Sequence, residues 1–302
     1  MTALVELTDV TLRDGLQMES VPVSLENKLN LFDKLVACGY SRLEVTSFVN
    51  PKWVPQFQDA DTFLKSISLR SQIPMMAFVP NLRGLERFLN HPIPWVSTFI
   101  ATSESFQKKN VNASIGETLQ ELKAMVQICR RESRKVRVYL STVFGCPYEG
   151  KIEIAKVISL VKQIADLGPD EIALSDTIGV AVPSQVNEIL SKVIALFPVS
   201  QIALHFHNTY GLGLPSAQAG YALGIRKFDG TTGGIGGCPY AKGATGNLAT
   251  EELQYLFYRQ GAMATFPKPA MEDALQFLAK HVKVNSHIHD ILVKGGTLYA
   301  VD

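Results

Sequence analysis

Two histidines separated by one residue have the clearest capacity for chemistry in this 302-residue sequence. His205 and His207 lie in a largely apolar run from Gln201 that is followed closely by Gly211 and Gly213, a pattern typical of a short strand. Side chains alternate between the faces of a strand, so both imidazoles point the same way and can bind one divalent cation. An isolated pair of this kind is about as often two hydrogen-bonded histidines at a strand end, so other residues must decide between the two interpretations.

Those residues are positioned by short β-like runs that alternate with segments of helical periodicity. Eight strands are predicted, at about 4–10, 42–46, 75–78, 95–100, 136–142, 171–174, 202–207 and 227–230. Helices are predicted between them, including 116–131, 152–167 and 25–38, the last with Ser24 as its N-cap and Gly39 after its end. Parallel pairing through helical crossovers favours an α/β fold, a (β/α)8 TIM barrel with extra C-terminal helices. We expect one catalytic domain over residues 1–302, with a helical extension from about residue 262 that includes extra helix at 271–293.

Composition excludes several classes of protein. The 29 basic residues nearly balance the 28 acidic ones, so no electrostatic argument supports a nucleic-acid partner or an anionic membrane surface. No apolar run approaches the length that spans a bilayer, and the N-terminal residues do not resemble a targeting leader. The four cysteines include no C-x-x-C pair, which favours reduced thiols and a cytoplasmic protein.

Polar side chains cluster at the carboxyl ends of the predicted strands, which form one mouth in such a barrel. They are Arg13, Asp14 and Gln17 after the first strand, Glu44 and Ser47 at the second, Arg137 and Tyr139 in the fifth, Ser175 and Asp176 at the sixth, and Asn247 beyond a glycine-rich segment after the eighth. Convergence of polar groups from at least six strand ends favours an active site over separate structural roles. We assign substrate binding to four of them: Arg13, Gln17, Ser47 and Tyr139.

A metal site is predicted from the types of donor at this mouth. Asp14 is the best carboxylate to join the two histidines, and Asn247 offers an amide oxygen. A set of nitrogen and oxygen donors without thiolate suits Mg²⁺ or Mn²⁺, with positions left for substrate oxygens, better than structural zinc. Such a cation acts as a Lewis acid. The ordinary alternatives are helix N-caps for Asp14 and Asp176, and a simple salt bridge between Arg13 and Glu44.

The tetrapeptide Gly-Cys-Pro-Tyr occurs twice, at 145–148 and at 237–240, and its two cysteines are predicted to differ. Cys146 directly follows a strand, which favours a structural role or a place in the substrate wall. Cys238 lies in a glycine-dense segment, a composition that allows a loop to close over a ligand. A thiol near a cation can have a lowered pKa and transfer a proton. Cys38 and Cys129 have helical, apolar spacing and are predicted to be core thiols.

Six motifs together resemble those of the 3-hydroxy-3-methylglutaryl-CoA lyase family. They are Leu12 to Gln17, Thr46 to Pro55, Gly145 to Lys151, Asp176 to Gly179, His205 to His207 and, most specifically, Gly236 to Glu251, which is similar to the cysteine-loop signature of the family. The resemblance implies a metal-dependent (β/α)8 lyase that cleaves 3-hydroxy-3-methylglutaryl-CoA, or a close 3-hydroxyacyl-CoA, to acetyl-CoA and acetoacetate. It also implies an acyl-CoA substrate and a homo-oligomer, in this family a dimer.

The same resemblance implies roles for individual residues. Arg13 would stabilise the enolate of the departing thioester, and Glu44 would orient Arg13. Cys238 would exchange a proton with substrate or product, and Asp176 would support the metal shell or accept a proton. The implied catalytic set is Cys238, Arg13, Asp14, Glu44, Asp176 and His205, and the implied metal ligands are Asp14, His205, His207 and Asn247.

The chain departs from the family pattern without losing any proposed ligand. Thr11-Leu12 stands where Gly-Pro is common, and Ser216 stands where we expect Asn. Three further differences near the site, Met18, Ser175 and Asn208, leave the acyl group of the substrate open.

Two other classes of function also stay open. One is a related Claisen-type synthase or pyruvate-releasing aldolase, against which the Cys238 segment argues. The other is a non-catalytic acyl-CoA-binding barrel, against which the complete set of ligands argues.

Overall fold

Eight parallel strands close into a barrel in the structure, a computed structural model that describes residues 4–237 and 246–294. The strands follow chain order around the ring, and the first pairs with the last, with Glu6 opposite Lys227. They are β1 (Glu6–Asp9), β2 (Arg42–Ser47), β3 (Met75–Phe78), β4 (Trp95–Ala101), β5 (Lys135–Ser141), β6 (Glu171–Asp176), β7 (Ile202–Phe206) and β8 (Lys227–Gly230). The predicted barrel is confirmed, and the predicted strand ends agree with these to within two residues.

The helices that follow the strands cover the outside of the barrel. They are α1 (Leu25–Ala37), α2 (Ala60–Ile67), α3 (Leu82–Phe88), α4 (Glu104–Val111), α5 (Ile115–Arg131), α6 (Ile154–Leu167), α7 (Pro183–Val193), α8 (Gly213–Ala222) and α9 (Thr250–Arg259). Ser24 caps α1 as predicted, because its side chain accepts a hydrogen bond from the backbone N–H of Asn27. Among the residues that the structure describes, no helix is both long and apolar enough to cross a membrane.

The main hydrophobic core lies between the strands and these helices, whereas much of the barrel interior is charged. Branched aliphatic side chains usually fill such an interior. Here five charged side chains occupy it, and we call them the interior ion cluster: Arg42, Arg137, Glu171, Lys227 and Asp229. Glu171 accepts from Arg42 at 2.7 Å and from Lys227 at 2.6 Å, and it lies 3.1 Å from Arg137. Every charge in the cluster therefore has an opposite partner, as burial requires.

The C-terminal extension contains two helices where the sequence suggested helix throughout 271–293. They are α10 (Lys268–Leu278) and α11 (His289–Val293). The helical prediction is wrong for 279–288, because the backbone there bonds to the barrel: the N–H of Asn285 donates to the carbonyl of Gly233 at 2.7 Å. The helix α10 packs against α1, where Lys34 and Asp273 form an ion pair of 2.5 Å.

Candidate active site

A tight π-helical turn, Thr11–Gly15, places Arg13 and Asp14 at the mouth directly after β1. The carbonyl of Val10 accepts hydrogen bonds from three successive N–H groups, those of Arg13, Asp14 and Gly15, at 3.2, 2.8 and 3.1 Å. The turn is pressed against the segment after β8, since a Cβ atom on Gly15 would lie 2.8 Å from the side chain of Ile235. Turns of this rare kind frequently occur at functional sites.

Arg13 is buried and held on several sides. Its Nε donates to Glu44 at 2.5 Å and its Nη1 donates to Asp14 at 2.5 Å. The guanidinium carbon lies 4.8 Å from the ring centre of Phe78 and 5.5 Å from that of Tyr139. Within residues 4–237 and 246–294, Nη2 has no hydrogen-bond partner, so one donor of a fixed cation remains for a ligand.

Asp14, His205 and His207 converge as potential metal ligands. One nitrogen of each imidazole and one carboxylate oxygen all lie within 4.8 Å of one another. The Nε2 atoms of His205 and His207 are 4.0 and 3.9 Å from the same oxygen of Asp14. The prediction that the two histidines share a face is confirmed, with their ring centres 5.3 Å apart.

Asn247 reaches this group because residues 246–248 run beside the end of β7, where the N–H of Asn208 donates to the carbonyl of Gly246 at 3.0 Å. The side-chain amide of Asn247 donates to Asp14 at 2.8 Å and to a backbone carbonyl at 3.2 Å. Its oxygen is buried and has no hydrogen-bond partner among the residues that the structure describes, which is costly unless a ligand satisfies it. This orphaned oxygen completes a set of donors that fits a divalent cation.

The electrostatic environment holds these donors in the protonation states that bind metals. Burial, together with neighbouring His205, lowers the pKa of His207 to about 4, so its imidazole is neutral near pH 7. Burial alone would raise the pKa of Asp14, but the charge of Arg13 and the two imidazoles outweigh it and lower that pKa to about 2. The carboxylate is therefore an anion at any physiological pH.

A cavity of about 1130 Å³ opens at this mouth. Its walls include seven residues that the sequence placed in the site: Arg13, Asp14, Gln17, Tyr139, Ser175, His205 and His207. The segments that follow β1, β2 and β3 supply much of the remaining wall. The volume slightly exceeds the usual range for ligand sites, about 300–1,000 Å³, so a large organic substrate fits.

Two predicted site residues, Ser47 and Asp176, accept hydrogen bonds from nearby backbone N–H groups and do not line the cavity. The hydroxyl of Ser47 accepts from the N–H of Val49 at 3.2 Å, and Ser47 is not part of the cavity wall. Asp176 accepts from the N–H groups of Val180 and Ala181 at 3.0 and 2.9 Å, and it too is absent from the wall. Burial raises the pKa of Asp176 to about 6 despite these bonds. The contacts favour a role for Asp176 in holding the loop before α7, and both functional assignments stay predictions.

The cysteines outside the glycine-rich segment have structural surroundings. The thiol of Cys146 donates to the hydroxyl of Ser103 at 3.0 Å and is not part of the cavity wall. Burial raises the pKa values of Cys38 and Cys129 to about 12, which confirms them as core thiols. Cys238, the predicted reactive thiol, lies outside the described residues.

Sequence reasoning missed two buried partners of the site. A carboxylate oxygen of Asp229 in β8 lies 3.3 Å from Nδ1 of His205. Ser97 in β4 donates its hydroxyl to the second oxygen of Glu44. The sequence does contain a pattern that could have predicted Asp229. Lys227 and Asp229 flank an apolar residue in a predicted strand, so both charged side chains lie on the same face of that strand.

The fold and the site together define a (β/α)8 barrel enzyme with a candidate cation site beside a buried arginine. The HMGL-like family model matches residues 4–278, and the chain belongs to this family. The resemblance inferred from the motifs is confirmed.

Several similar proteins are named as HMG-CoA lyases. The hydroxymethylglutaryl-CoA lyase YngG of Bacillus subtilis is 43% identical over 252 residues, which span 83% of this chain and 84% of that protein. A crystal structure of the B. subtilis HMG-CoA lyase matches with a TM-score of 0.92 and 38% identity over 96% of this chain and 98% of the other. An HMG-CoA lyase from Acinetobacter baumannii, in complex with coenzyme A and 3-methylmalate, matches with a TM-score of 0.90 and 32% identity over 100% of both chains.

Proposed function

We propose that this chain is a divalent-cation-dependent carbon–carbon lyase that cleaves 3-hydroxy-3-methylglutaryl-CoA, or a close 3-hydroxyacyl-CoA, to acetyl-CoA and acetoacetate. The observation that carries the proposal is the position of buried Arg13 beside Asp14, His205 and His207 in one cavity. The names of the relatives support the reaction, and the coenzyme A in the A. baumannii structure supports an acyl-CoA substrate.

The reaction needs no second substrate. The 3-hydroxyl group loses its proton, the bond between C2 and C3 breaks, and C3 becomes the ketone carbon of acetoacetate. The electron pair of that bond passes to C2 and the thioester carbonyl as an enolate, which takes up a proton to give acetyl-CoA. Negative charge therefore develops on the 3-oxygen first and on the thioester oxygen afterwards, and an efficient site places fixed positive groups near both.

The residues of this chain divide those tasks. Asp14, His205, His207 and Asn247 would hold Mg²⁺ or Mn²⁺, and the bound cation supplies Lewis-acid polarisation of substrate oxygens. Arg13 donates from its uncommitted Nη2 to the thioester oxygen, and Glu44 fixes the plane of its guanidinium. This orientation exists before substrate binds, so little reorganisation is needed during the reaction.

The remaining predicted residues complete the proposal. Gln17 and Tyr139 line the cavity and bind substrate, and within the described part of the chain the buried Tyr139 hydroxyl has no hydrogen-bond partner. Cys238 supplies the proton that converts the enolate to acetyl-CoA. We also propose a homodimer in the cytoplasm, an assembly that light scattering coupled to size-exclusion chromatography tests directly.

Turnover should require a divalent cation, because the converging donors are those of a metal site. Exhaustive chelation should abolish activity without changing the circular dichroism spectrum, and Mg²⁺ or Mn²⁺ should restore it. His205→Ala and His207→Ala should each lower both cation affinity and rate. Full turnover by verified metal-free protein would contradict the cation role.

The reaction itself is tested by acetyl-CoA release from a panel of 3-hydroxyacyl-CoA thioesters. We expect equimolar acetyl-CoA and acetoacetate from 3-hydroxy-3-methylglutaryl-CoA. Arg13→Lys keeps the positive charge but loses the planar set of N–H donors of the guanidinium. It should therefore reduce kcat by about 10²–10³-fold. Arg87→Lys is the matched control, since Arg87 lines the same cavity but pairs with Asp61. Pyruvate release, net condensation, or tight thioester binding without turnover would each favour one of the alternative functions.

A further inference from the structure

The two ring nitrogens of His205 face different carboxylates. Nε2 faces Asp14 at 4.0 Å, on the side of the candidate cation site. Nδ1 lies 3.3 Å from an oxygen of Asp229, whose side chain is completely buried inside the barrel. Asp229 is not part of the cavity wall, and among the residues described its hydrogen bond to a wall residue is the one with His205.

Asp229 has a fixed cationic partner. Arg137 donates from Nη2 to both of its carboxylate oxygens, at 2.7 and 2.6 Å. Arg137 is itself positioned by Glu171 at 3.1 Å, so this carboxylate is part of the interior ion cluster. An ionised carboxylate only accepts hydrogen bonds, so the atom facing it must be a donor.

This arrangement determines where the proton of His205 lies. A neutral imidazole has one N–H donor and one acceptor nitrogen. With Nδ1 donating to Asp229, the lone pair is on Nε2 and points toward Asp14. We propose that Asp229 is a positioning residue that fixes the Nδ1–H tautomer of His205 and so presents Nε2 to the cation.

His207 provides an internal contrast. Its Nδ1 atom is buried and has no hydrogen-bond partner among the described residues. Packing alone therefore orients His207, whereas His205 is oriented by packing and by a charged partner. Outer hydrogen bonds of this kind commonly change metal affinity by 10–100-fold. The inference rests on the cation site of the proposed function and is independent of the substrate.

The first test uses the wild-type protein without added cation. Long-range ¹H–¹⁵N correlation spectra of protein with ¹⁵N-labelled histidine distinguish the two tautomers, and the His205→Gln variant assigns the signal. We expect Nδ1 of His205 to carry the proton near pH 7.5. An Nε2–H tautomer would overturn the proposal, whatever any variant does.

The second test measures Mn²⁺ affinity from the electron paramagnetic resonance signal of free Mn²⁺. Asp229→Asn should weaken binding by roughly 10–100-fold and populate the other tautomer. Glu171→Gln is the matched control, because it removes one negative charge from the same cluster but does not contact His205. We expect it to keep the wild-type tautomer and near-wild-type affinity.

Circular dichroism and thermal unfolding identify any variant that fails to fold, in which case the wild-type spectrum alone decides. Equal losses of affinity in both folded variants would show that Asp229 contributes only charge balance. Unchanged affinity in Asp229→Asn would show that Asp229 does not position His205 for the cation. Either result would overturn the proposal. Neither test involves turnover. A failed acetyl-CoA assay would therefore refute the proposed reaction but not the tautomer assignment. An Nε2–H tautomer would refute the role of Asp229 but not the proposed reaction.

Discussion

Arg13 illustrates how much of the site depends on a single side chain. An exposed pair with Glu44 would contribute little to stability. Arg13 instead is buried, contacts Glu44 and Asp14 at once, and lies against two aromatic rings of the cavity wall. Burying a cation is costly, and two carboxylates and two ring faces offset that cost here. The simple salt-bridge alternative is therefore less well supported than a functional role.

The duplicated Gly-Cys-Pro-Tyr gives a prediction with a built-in control. Cys238→Ser replaces a thiol by a poorly ionising hydroxyl, so kcat should fall roughly 10²–10⁴-fold if the thiol transfers a proton, with little change in KM. Cys146→Ser should affect stability more than kcat, since that thiol is buried against Ser103. Steady-state kinetics and alkylation of the native protein check both, and an alkylating reagent should modify Cys238 first. Preferential labelling of Cys146 would reverse the assignment.

For individual residues, the sequence predicted the positions of side chains that depend only on local spacing. The shared face of His205 and His207 follows from strand alternation alone. Asp229 was missed because its partner Arg137 lies 92 positions away, and a single sequence carries no record of such pairings. Ser47 and Asp176 end β2 and β6 as predicted, but the direction of each side chain depends on neighbouring backbone N–H groups that spacing does not reveal.

Among the elements, the segment that follows β8 is held from two sides at its beginning. The N–H of Gly233 donates to both carboxylate oxygens of Glu251 at the start of α9, each at 3.1 Å. The carbonyl of Gly233 accepts from Asn285 of the C-terminal extension. The extension therefore supports the strand end from which the glycine-rich segment departs.

Glu251 makes this support dependent on pH. Burial raises its pKa from 4.5 to about 7, so the folded protein keeps a proton that the unfolded chain releases above pH 4.5. Its contribution to stability is full below pH 4.5 and is lost as pH rises to about 7, by as much as about 3 kcal/mol. Glu251→Gln mimics the protonated form, so its unfolding free energy should fall less than that of the wild type between pH 5 and pH 8.

Urea unfolding at several pH values measures this difference. The control is Glu188→Gln, a change on the exposed face of α7 that should keep the wild-type pH dependence. Parallel pH profiles for the wild type and Glu251→Gln would show that Glu251 does not retain its proton on folding.

The elements themselves were largely predictable, because apolar runs and capping residues are local signals. The strands were located to within two residues, and α1 begins after Ser24 as expected. The interruption between α10 and α11 was not predictable from periodicity. It depends on a backbone hydrogen bond between Asn285 and Gly233, whose positions in the chain are far apart.

For the whole molecule, the packing of the extension supports the prediction of one domain. In α10, Met271, Ala274 and Leu275 are fully buried in the same core as the barrel helices. We therefore expect one cooperative unfolding transition. Urea curves from tryptophan fluorescence and far-ultraviolet circular dichroism should coincide, since Trp95 lies in β4 and the helices dominate the second signal. Separate transitions would show that the extension unfolds independently.

Closure of the ring also sets when the cation site can exist during protein synthesis. Asp14 leaves the ribosome early, but Asn247 follows 233 positions later, after β8 has become available to pair with β1. A divalent cation held by this candidate set of ligands would therefore not guide the folding of the nascent N-terminal half, and its binding energy would stabilise only the completed barrel. A chain whose translation stops between Gly230 and Asn247 lacks one of the proposed ligands, although all eight of its strands have already been made.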